Sequence, residues 1–346
     1  MISVICTVLN EEDTIEEFLK SIIEQRILPD EFIIVDGGST DKTLEILKKY
    51  ESKYPFIKVF RLDGANIADG RNFAIKNAKG IIIVTVDAGC KYGNNFIKEI
   101  VKPLLKFLLE NYKKFGLKKS DIIKYIHNKG FSLDEILAED CAEFVQGTYY
   151  PYSTNTFSYF AGFMLVKPIE KQCKVPSRTS ARATAYFKYV WEAVGGYPNN
   201  YITGEDTKFH LNIIKHRFKW VCKNVEVYWK MPTNLIEFYK KFKKYAIGDI
   251  LQRNIIVYRR LLIFFISFWT YILLVIYVII FKKDLLLFLL LVIPVIIYLI
   301  LLGIVYTIKL RNPLALFYLP LLEIVRRIAY QVGFLEGILR IILLKK

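Results

Sequence analysis

The chain has 346 residues, with 49 lysines and arginines against 33 aspartates and glutamates, for a formal net charge of +16. Apolar residues make up 53% and mean hydropathy is +0.29, too high for an ordinary soluble enzyme. The apolar excess lies after about Leu261, and Lys240, Lys241, Lys243, Lys244, Arg253, Arg259 and Arg260 crowd just before it. That placement points to a membrane surface rather than to nucleic acid, for which no zinc-finger, basic-zipper or aromatic RNA-binding pattern is present.

The chain opens directly on a strand pattern, Ile2–Val8, with no basic-then-apolar leader, so the globular part is expected in the cytosol. Ile15, Phe18, Leu19, Ile22 and Ile23 follow helical spacing. Phe32–Val35 reads as a strand, Thr40–Tyr50 as a helix, Ile57–Leu62 as a strand, Asp69–Ala78 as a helix and Ile81–Val86 as a strand. Strands alternating with helices predict a parallel sheet with right-handed crossovers. The unbroken Ile/Val content of the strands predicts cover on both faces.

Pro103 to about Asp140 is a Lys-rich helical stretch with no recognisable chemistry, read as an insertion. Phe144–Val166 is aromatic and Thr/Ser-rich, and is expected to form strands and loops of a second half-sheet. Trp191–Gly196 closes a helix with a glycine stop, and Thr203–His216 starts another. Asn234–Ile250 places Leu235, Phe238, Tyr239, Phe242 and Ala246 opposite its lysines, the pattern of an interfacial helix with its aromatic face in lipid headgroups.

Leu261–Phe281 and Leu285–Tyr306 are each about 20 nearly uncharged residues, long enough to span a bilayer. Lys282, Lys283 and Asp284 connect them, and the basic flanks place both outer ends on the cytosolic side. The tail from Pro313 carries Glu323, Arg326, Arg327 and Arg340. Central charges of that kind cost roughly 2.5–3.5 kcal/mol each on insertion, so an amphipathic or re-entrant segment is expected rather than a third span. The resulting division is a domain over 1–232 with a helical insertion at 103–140, an interfacial helix over 233–260, two transmembrane helices over 261–310 and a membrane-associated tail over 311–346.

Five cysteines, Cys6, Cys90, Cys141, Cys173 and Cys222, are scattered with no CxxC. They read as small buried residues in a reducing compartment rather than as a disulfide framework or zinc site.

Three acidic positions carry the candidate chemistry. Asp36 ends the second strand in VDGGSTD and Asp87 ends the fourth in VDAGC. Carboxylates just past parallel strands sit at the edge where open α/β sheets bind ligands. Asp36 suits a base N–H or a ribose hydroxyl, or else organises a turn and helix cap. Asp87 can face a diphosphate through a divalent cation, or be a second turn aspartate. Arg71 follows the third strand and either neutralises diphosphate or is a surface arginine. Glu205 and Asp206 open a helix, where an ionised Asp206 can take a proton or both acids can simply cap the first turn. His210, one turn on, is read as packing.

Taken in order, these strings resemble family-2 glycosyltransferases of the GT-A fold. SVICTVLNEEDTIEEFLKSIIEQ is similar to the family's opening strand and helix, FIIVDGGSTDKT to its nucleotide-binding loop, and VTVDAGC to its DxD strand. SARATAYFKYVWEAVGGYPNNYITGEDTKFHLNIIKHRFKW is similar to its acceptor-site and catalytic-base segment. The resemblance covers roughly Met1–Pro232 outside the insertion. It implies a doubly wound, Rossmann-like GT-A domain followed by an α-helical membrane hairpin. By position, Thr7, Asn10 and Glu11 would line the nucleotide crevice, Asp36 hold base or ribose, Arg71 approach the diphosphate, Asp87 be the first acid of DxD and the metal ligand, and Asp206, with Glu205 beside it, the base. The DxD position reads Asp87-Ala88-Gly89, so the second acid is missing and Mg or Mn would have one direct protein ligand.

The implied activity is inverting transfer from a nucleotide-sugar to a lipid-linked or glycan acceptor by an integral protein of the cell membrane with a cytosolic catalytic domain. The partners are the donor, that acceptor and membrane lipid, not nucleic acid. A polyprenyl-phosphate glycosyltransferase and a non-catalytic nucleotide-sugar-binding scaffold are the alternatives.

Overall fold

The Ile/Val-rich runs pair as one parallel block. Strand β1 (Ile2–Val8) lies between β2 (Glu31–Asp36) and β4 (Ile82–Thr85), with β3 (Ile57–Arg61) outside β2. Every residue of β2 and β4 is buried, which is why these strands show no polar alternation. Helices α1 (Ile15–Ile23), α2 (Thr43–Lys53) and α3 (Ile67–Asn77) make the crossovers. The chain is described by a computed structural model covering residues 1–173, 180–199, 203–251 and 255–343.

Beyond β4 the sheet becomes mixed. After β5 (Cys90–Tyr92) and α4 (Phe96–Glu110), β8 (Thr184–Phe187) runs antiparallel between β4 and β6 (Phe144–Gly147), and β9 (Trp220–Lys223) closes the far edge. The strand order is β3-β2-β1-β4-β8-β6-β9. A second, three-stranded sheet is formed by β5, β10 (Val227–Lys230) and β7 (Tyr150–Tyr152).

The helical stretch from Pro103 begins inside α4, which is buried against β6 and β8. Outside it lie α5 (Lys119–Asn128) and α6 (Leu133–Leu137). α5 is fixed to the first strands through Asp30, which accepts from the Tyr125 hydroxyl at 2.7 Å and pairs with Lys129 at 2.6 Å.

Two expectations are corrected. The aromatic run 156–165, expected as part of a half-sheet, is helix α7 (Thr156–Leu165). Asn155 accepts from the Ser158 N–H at 2.8 Å and so caps its start. Cys173 and Cys222, expected as free thiols, are disulfide-bonded with Cα atoms 5.6 Å apart. Cys173 ends the short helix α8 (Ile169–Gln172), and β9 carries Cys222 to it.

The chain divides into two compact units: Met1–Tyr152, Val166–Tyr201 and Glu205–Lys230 form one, and Ser153–Leu165, Ile202–Gly204 and Met231–Lys346 the other. The second unit is helical, with α7, α11 (Leu235–Leu251), α12 (Ile255–Tyr277), α13 (Leu285–Leu310) and α14 (Ala315–Leu343). Its core joins Phe160 and Ala161 of α7, Phe238 and Phe242 of α11, and Ala315, Leu319, Leu322 and Ala329 of α14. Phe238, Phe242 and Ala246, expected in lipid headgroups, are therefore covered by protein.

Residues Arg259–Lys282 and Leu285–Leu310 form two helices long and apolar enough to cross a membrane. In α13 the buried residue is Gly303, where a Cβ would sit 2.7 Å from the Leu316 carbonyl oxygen. On α14, Glu323 is buried between Arg326 and Arg327, paired at 2.7 and 2.8 Å, so its central charges satisfy one another.

Candidate active site

The carboxyl edge of β1, β2 and β4 carries the candidate residues, all within the first unit. Asn10, at φ 53°, turns the chain after β1; its N–H donates to the Ser39 hydroxyl at 2.9 Å, and its side-chain oxygen accepts from the Thr40 N–H at 2.9 Å. Glu11 donates its N–H to the Thr43 hydroxyl at 2.8 Å, and its carboxylate accepts from Thr14 at 2.6 Å. Burial pushes the Glu11 pKa up, against the pull of that hydrogen bond. Thr7 is half-buried against α3, where a Cβ on Gly70 would lie 2.6 Å from its methyl group. Glycine at 70 is what lets the helix approach the strand.

Asp36 is fully buried. One carboxylate oxygen accepts from the N–H groups of Gly38 and Ser39 at 3.1 and 3.0 Å, and the other accepts from the Ser39 hydroxyl. The turn that follows puts Gly38 at φ 99°. With these bonds Asp36 organises the turn after β2, one of the two uses its strand-end position allows.

Arg71 is also buried. Its guanidinium donates to Glu205 at 2.6 Å and to Asp87 at 2.9 Å, and lies 5.4 Å from the Tyr197 ring. Burial alone would lower its pKa; the Asp87 and Glu205 carboxylates outweigh that and hold it above the usual range. Burial raises the Glu205 pKa, Arg71 pulls it back and the Asp206 charge adds to the rise. Arg71 thus ties the end of β4 to the start of α10 (Glu205–Lys215), with Glu205 buried in the pair.

Asp206, the next residue, stays half-exposed. One oxygen accepts from the Ala181 N–H at 3.4 Å and the other from the Thr207 N–H at 2.6 Å. The Ala181 contact brings in Arg182, which the motif spacing did not single out. Its Nε lies 3.6 Å from Asp87, its Nη1 donates to Ser180 at 2.6 Å, and its guanidinium stacks 3.7 Å from the Trp229 ring centre and 5.5 Å from that of Tyr149. Tyr92 locks the arrangement: its hydroxyl accepts from the Asp87 N–H at 2.9 Å and donates to the Arg182 carbonyl at 2.8 Å. Asp206, Arg182, Asp87, Arg71 and Glu205 thus form one continuous constellation. The signal available in sequence was the arginine in SARA, inside a string already assigned to the acceptor and base region.

The turn after α9 (Lys188–Ala193) is held by Asn72, which accepts from Trp191 and Tyr197 and donates to the Tyr197 carbonyl at 2.7–2.9 Å. His210 is buried beside Phe144 and Phe209, and burial lowers its pKa to about 3. It packs as a neutral ring.

The profile of glycosyl transferase family 2 matches residues 3–129, and that of glycosyl transferase family group 2 matches residues 132–307, half of the chain. The chain belongs to glycosyltransferase family 2. This family-2 enzyme is 26% identical, over 252 residues, to a dolichyl N-acetyl-alpha-D-glucosaminyl phosphate 3-beta-D-2,3-diacetamido-2,3-dideoxy-beta-D-glucuronosyltransferase of Methanococcus voltae, covering 71% of each chain. It is 37% identical over 109 residues to a poly(ribitol-phosphate) beta-glucosyltransferase of Bacillus spizizenii, covering 28% of this chain but only 17% of that protein. A mannosyltransferase from Pyrobaculum calidifontis, solved with GDP-Man and Mn2+, superimposes with a TM-score of 0.51 at 17% identity over 72% of this chain and 62% of its own. The likeness establishes the GT-A fold. Relatives of the glycosyltransferase thus act on lipid-linked or polymeric acceptors.

The fold family implies a divalent cation, and the donor set here fits one poorly. Asp87 is the only acid of the Asp87-Ala88-Gly89 run, and its two oxygens face Arg71 and Arg182. Among the described residues no three His, Cys, Asp or Glu side chains gather round a common point. Arg71 is already shared with Glu205, so a dication on Asp87 would have that single carboxylate as its direct protein ligand and would compete with both arginines for its oxygens.

Proposed function

We propose that this glycosyltransferase is membrane-anchored and inverting, and that it moves a sugar from a nucleoside-diphosphate sugar to a lipid-linked or glycan acceptor at the cytosolic membrane face. The observation that carries the reading is the placement of one half-exposed carboxylate, Asp206, on the same constellation as Asp87 at the sheet's carboxyl edge. Asp206 accepts the proton of the acceptor hydroxyl as that oxygen attacks the anomeric carbon. The bond from that carbon to the diphosphate breaks, and its electron pair leaves on the phosphate oxygen. Glu205 and Arg71 hold the start of α10 so that Asp206 keeps its position. The two apolar helices and the dolichyl-linked substrate named for the Methanococcus relative support an acceptor at a lipid surface.

Replacing the base tests the reading. Asp206→Asn is expected to slow transfer by about 100- to 10,000-fold, with nucleotide-sugar binding by calorimetry little changed. Wild-type rates in that variant remove Asp206 from the role. Activity retained with polyprenyl phosphate alone points instead to an acceptor that is already ionised.

A further inference from the structure

We infer that α14 lies in the plane of the membrane at the cytosolic leaflet, with one apolar face against lipid, and that α11 is held beneath it. This rests on the membrane-anchored reading and deepens it, by naming the element that meets the lipid surface. Along α14 an uncovered apolar stripe runs from Phe317 through Leu321, Ile324, Ile328 and Leu335 to Ile342, each between 41 and 70% exposed. Steps of three, four or seven residues keep these side chains on one side of the helix. The opposite side is taken by protein. A Cβ on Gly333 would lie 2.5 Å from the Lys243 carbonyl oxygen, and one on Gly337 3.0 Å from the Ile250 side chain, so the two glycines seat α11 closely. Phe238 and Phe242 of α11 are buried in one core with Leu319, Leu322 and Ala329 of α14. The stripe therefore takes the place in lipid that the sequence pattern gave to α11.

The surroundings of α14 say what covers the stripe. Residues 311–314 alone separate α14 from the apolar helix α13. α14 meets α13 at Gly303, beside Leu316, and at Tyr298, whose hydroxyl accepts from Arg327 at 3.3 Å. It meets α12 where Phe334 stacks on Phe265, ring centres 4.9 Å apart. These contacts fall in the halves of α12 and α13 that carry Arg259 and Lys309, the ends whose basic flanks belong to the cytosolic side. From Leu316 to Phe334 the helix advances about 27 Å, yet it stays beside those halves, so it crosses the pair instead of running the length of α13. A spanning course would carry the half-exposed Arg326 and Arg327 into hydrocarbon. Lying flat, α14 keeps them, with the exposed Lys309, Arg311 and Arg340, within reach of headgroup phosphates, whose charge they complement. Its two acids, Glu323 and Glu336, are already paired with basic side chains.

The experiment reads depth. Full-length protein carrying Cys141→Ser, which removes the one free thiol that is not buried, receives one further change at a time: Leu321→Cys, Ile328→Cys or Leu335→Cys in the stripe, or Ile296→Cys in α13. Each new thiol is labelled with bimane in vesicles of phosphatidylcholine and phosphatidylglycerol, and quenched by lipids brominated near the headgroup or near the end of the acyl chain. The three stripe positions are expected to behave alike, quenched at least about twofold better by the shallow bromines than by the deep ones, as for a face buried about 5–10 Å. Ile296→Cys should show the reverse. A progressive change of depth from residue 321 to residue 335 makes α14 a spanning helix and overturns the proposal. Stripe labels that neither lipid quenches, beside a quenched label at 296, also overturn it, by assigning the face to protein; cross-linking between copies then identifies a second chain as its cover. If no position is quenched, 296 included, the membrane-anchored reading itself fails, and the proposal with it.

Discussion

A buried guanidinium between two carboxylates is stable only as a set. Removing one partner leaves an uncompensated charge in a low-dielectric site, at a cost of about 3–5 kcal/mol. Arg71, Asp87 and Glu205 form such a set, with Glu205 and Arg71 both buried. Glu205→Ala is therefore expected to destabilise the fold by about that amount, read as a lowered denaturation midpoint, whereas Asp206→Asn should leave the midpoint nearly unchanged. Equal effects from the two would mean that Glu205 does not hold the site. These roles were only half legible in the sequence. The acids and Arg71 stood out by type and position, but the partners of Arg71 lie 16 and 134 residues away, and spacing alone says nothing about which charges meet. Strand-end aspartates serve both as ligands and as turn acceptors, and the sequence does not show that the Asp36 carboxylate is buried in the hydrogen bonds of its turn. Arg182 was passed over because an arginine among alanines carries no pattern.

At the level of elements, β1 to β4 and their crossovers were readable because each follows a single period from end to end. The run at 156–165 was not, since a stretch of aromatics with few polar breaks satisfies strand and helix alike. The antiparallel direction of β8 and the Cys173–Cys222 pairing are also outcomes of topology, which places side chains 49 residues apart side by side. The docking of α5 offers a test by pH. Burial would raise the Asp30 pKa, but its hydrogen bonds from Lys129, Tyr125 and the Ile2 N–H outweigh this and lower it from 3.8 to about 2. Because the folded value lies below the unfolded one, this stabilisation is present above about pH 4 and fades as pH falls through about 2. Asp30→Asn should lower the thermal midpoint at pH 7, and the gap from wild type should close on acidification. A gap that stays constant with pH would exclude the carboxylate as its source.

For the whole molecule, orientation is the open quantity that a reagent can read. A cysteine in place of Lys283, between α12 and α13, is expected to react with a membrane-impermeant maleimide on intact cells, while one in place of Arg311, just after α13, should react only after lysis. The reverse pattern would place the sugar chemistry on the other side of the bilayer. The outer surface of α13 has a further practical meaning. A rod of 26 residues, apolar throughout its middle, with one glycine shielded by its neighbours, has no aqueous phase in which it is at ease. If it spans the bilayer as proposed, a preparation carries its own collar of detergent or lipid, and turnover measured there reflects how crowded the acceptor is within that collar as much as its amount in the tube.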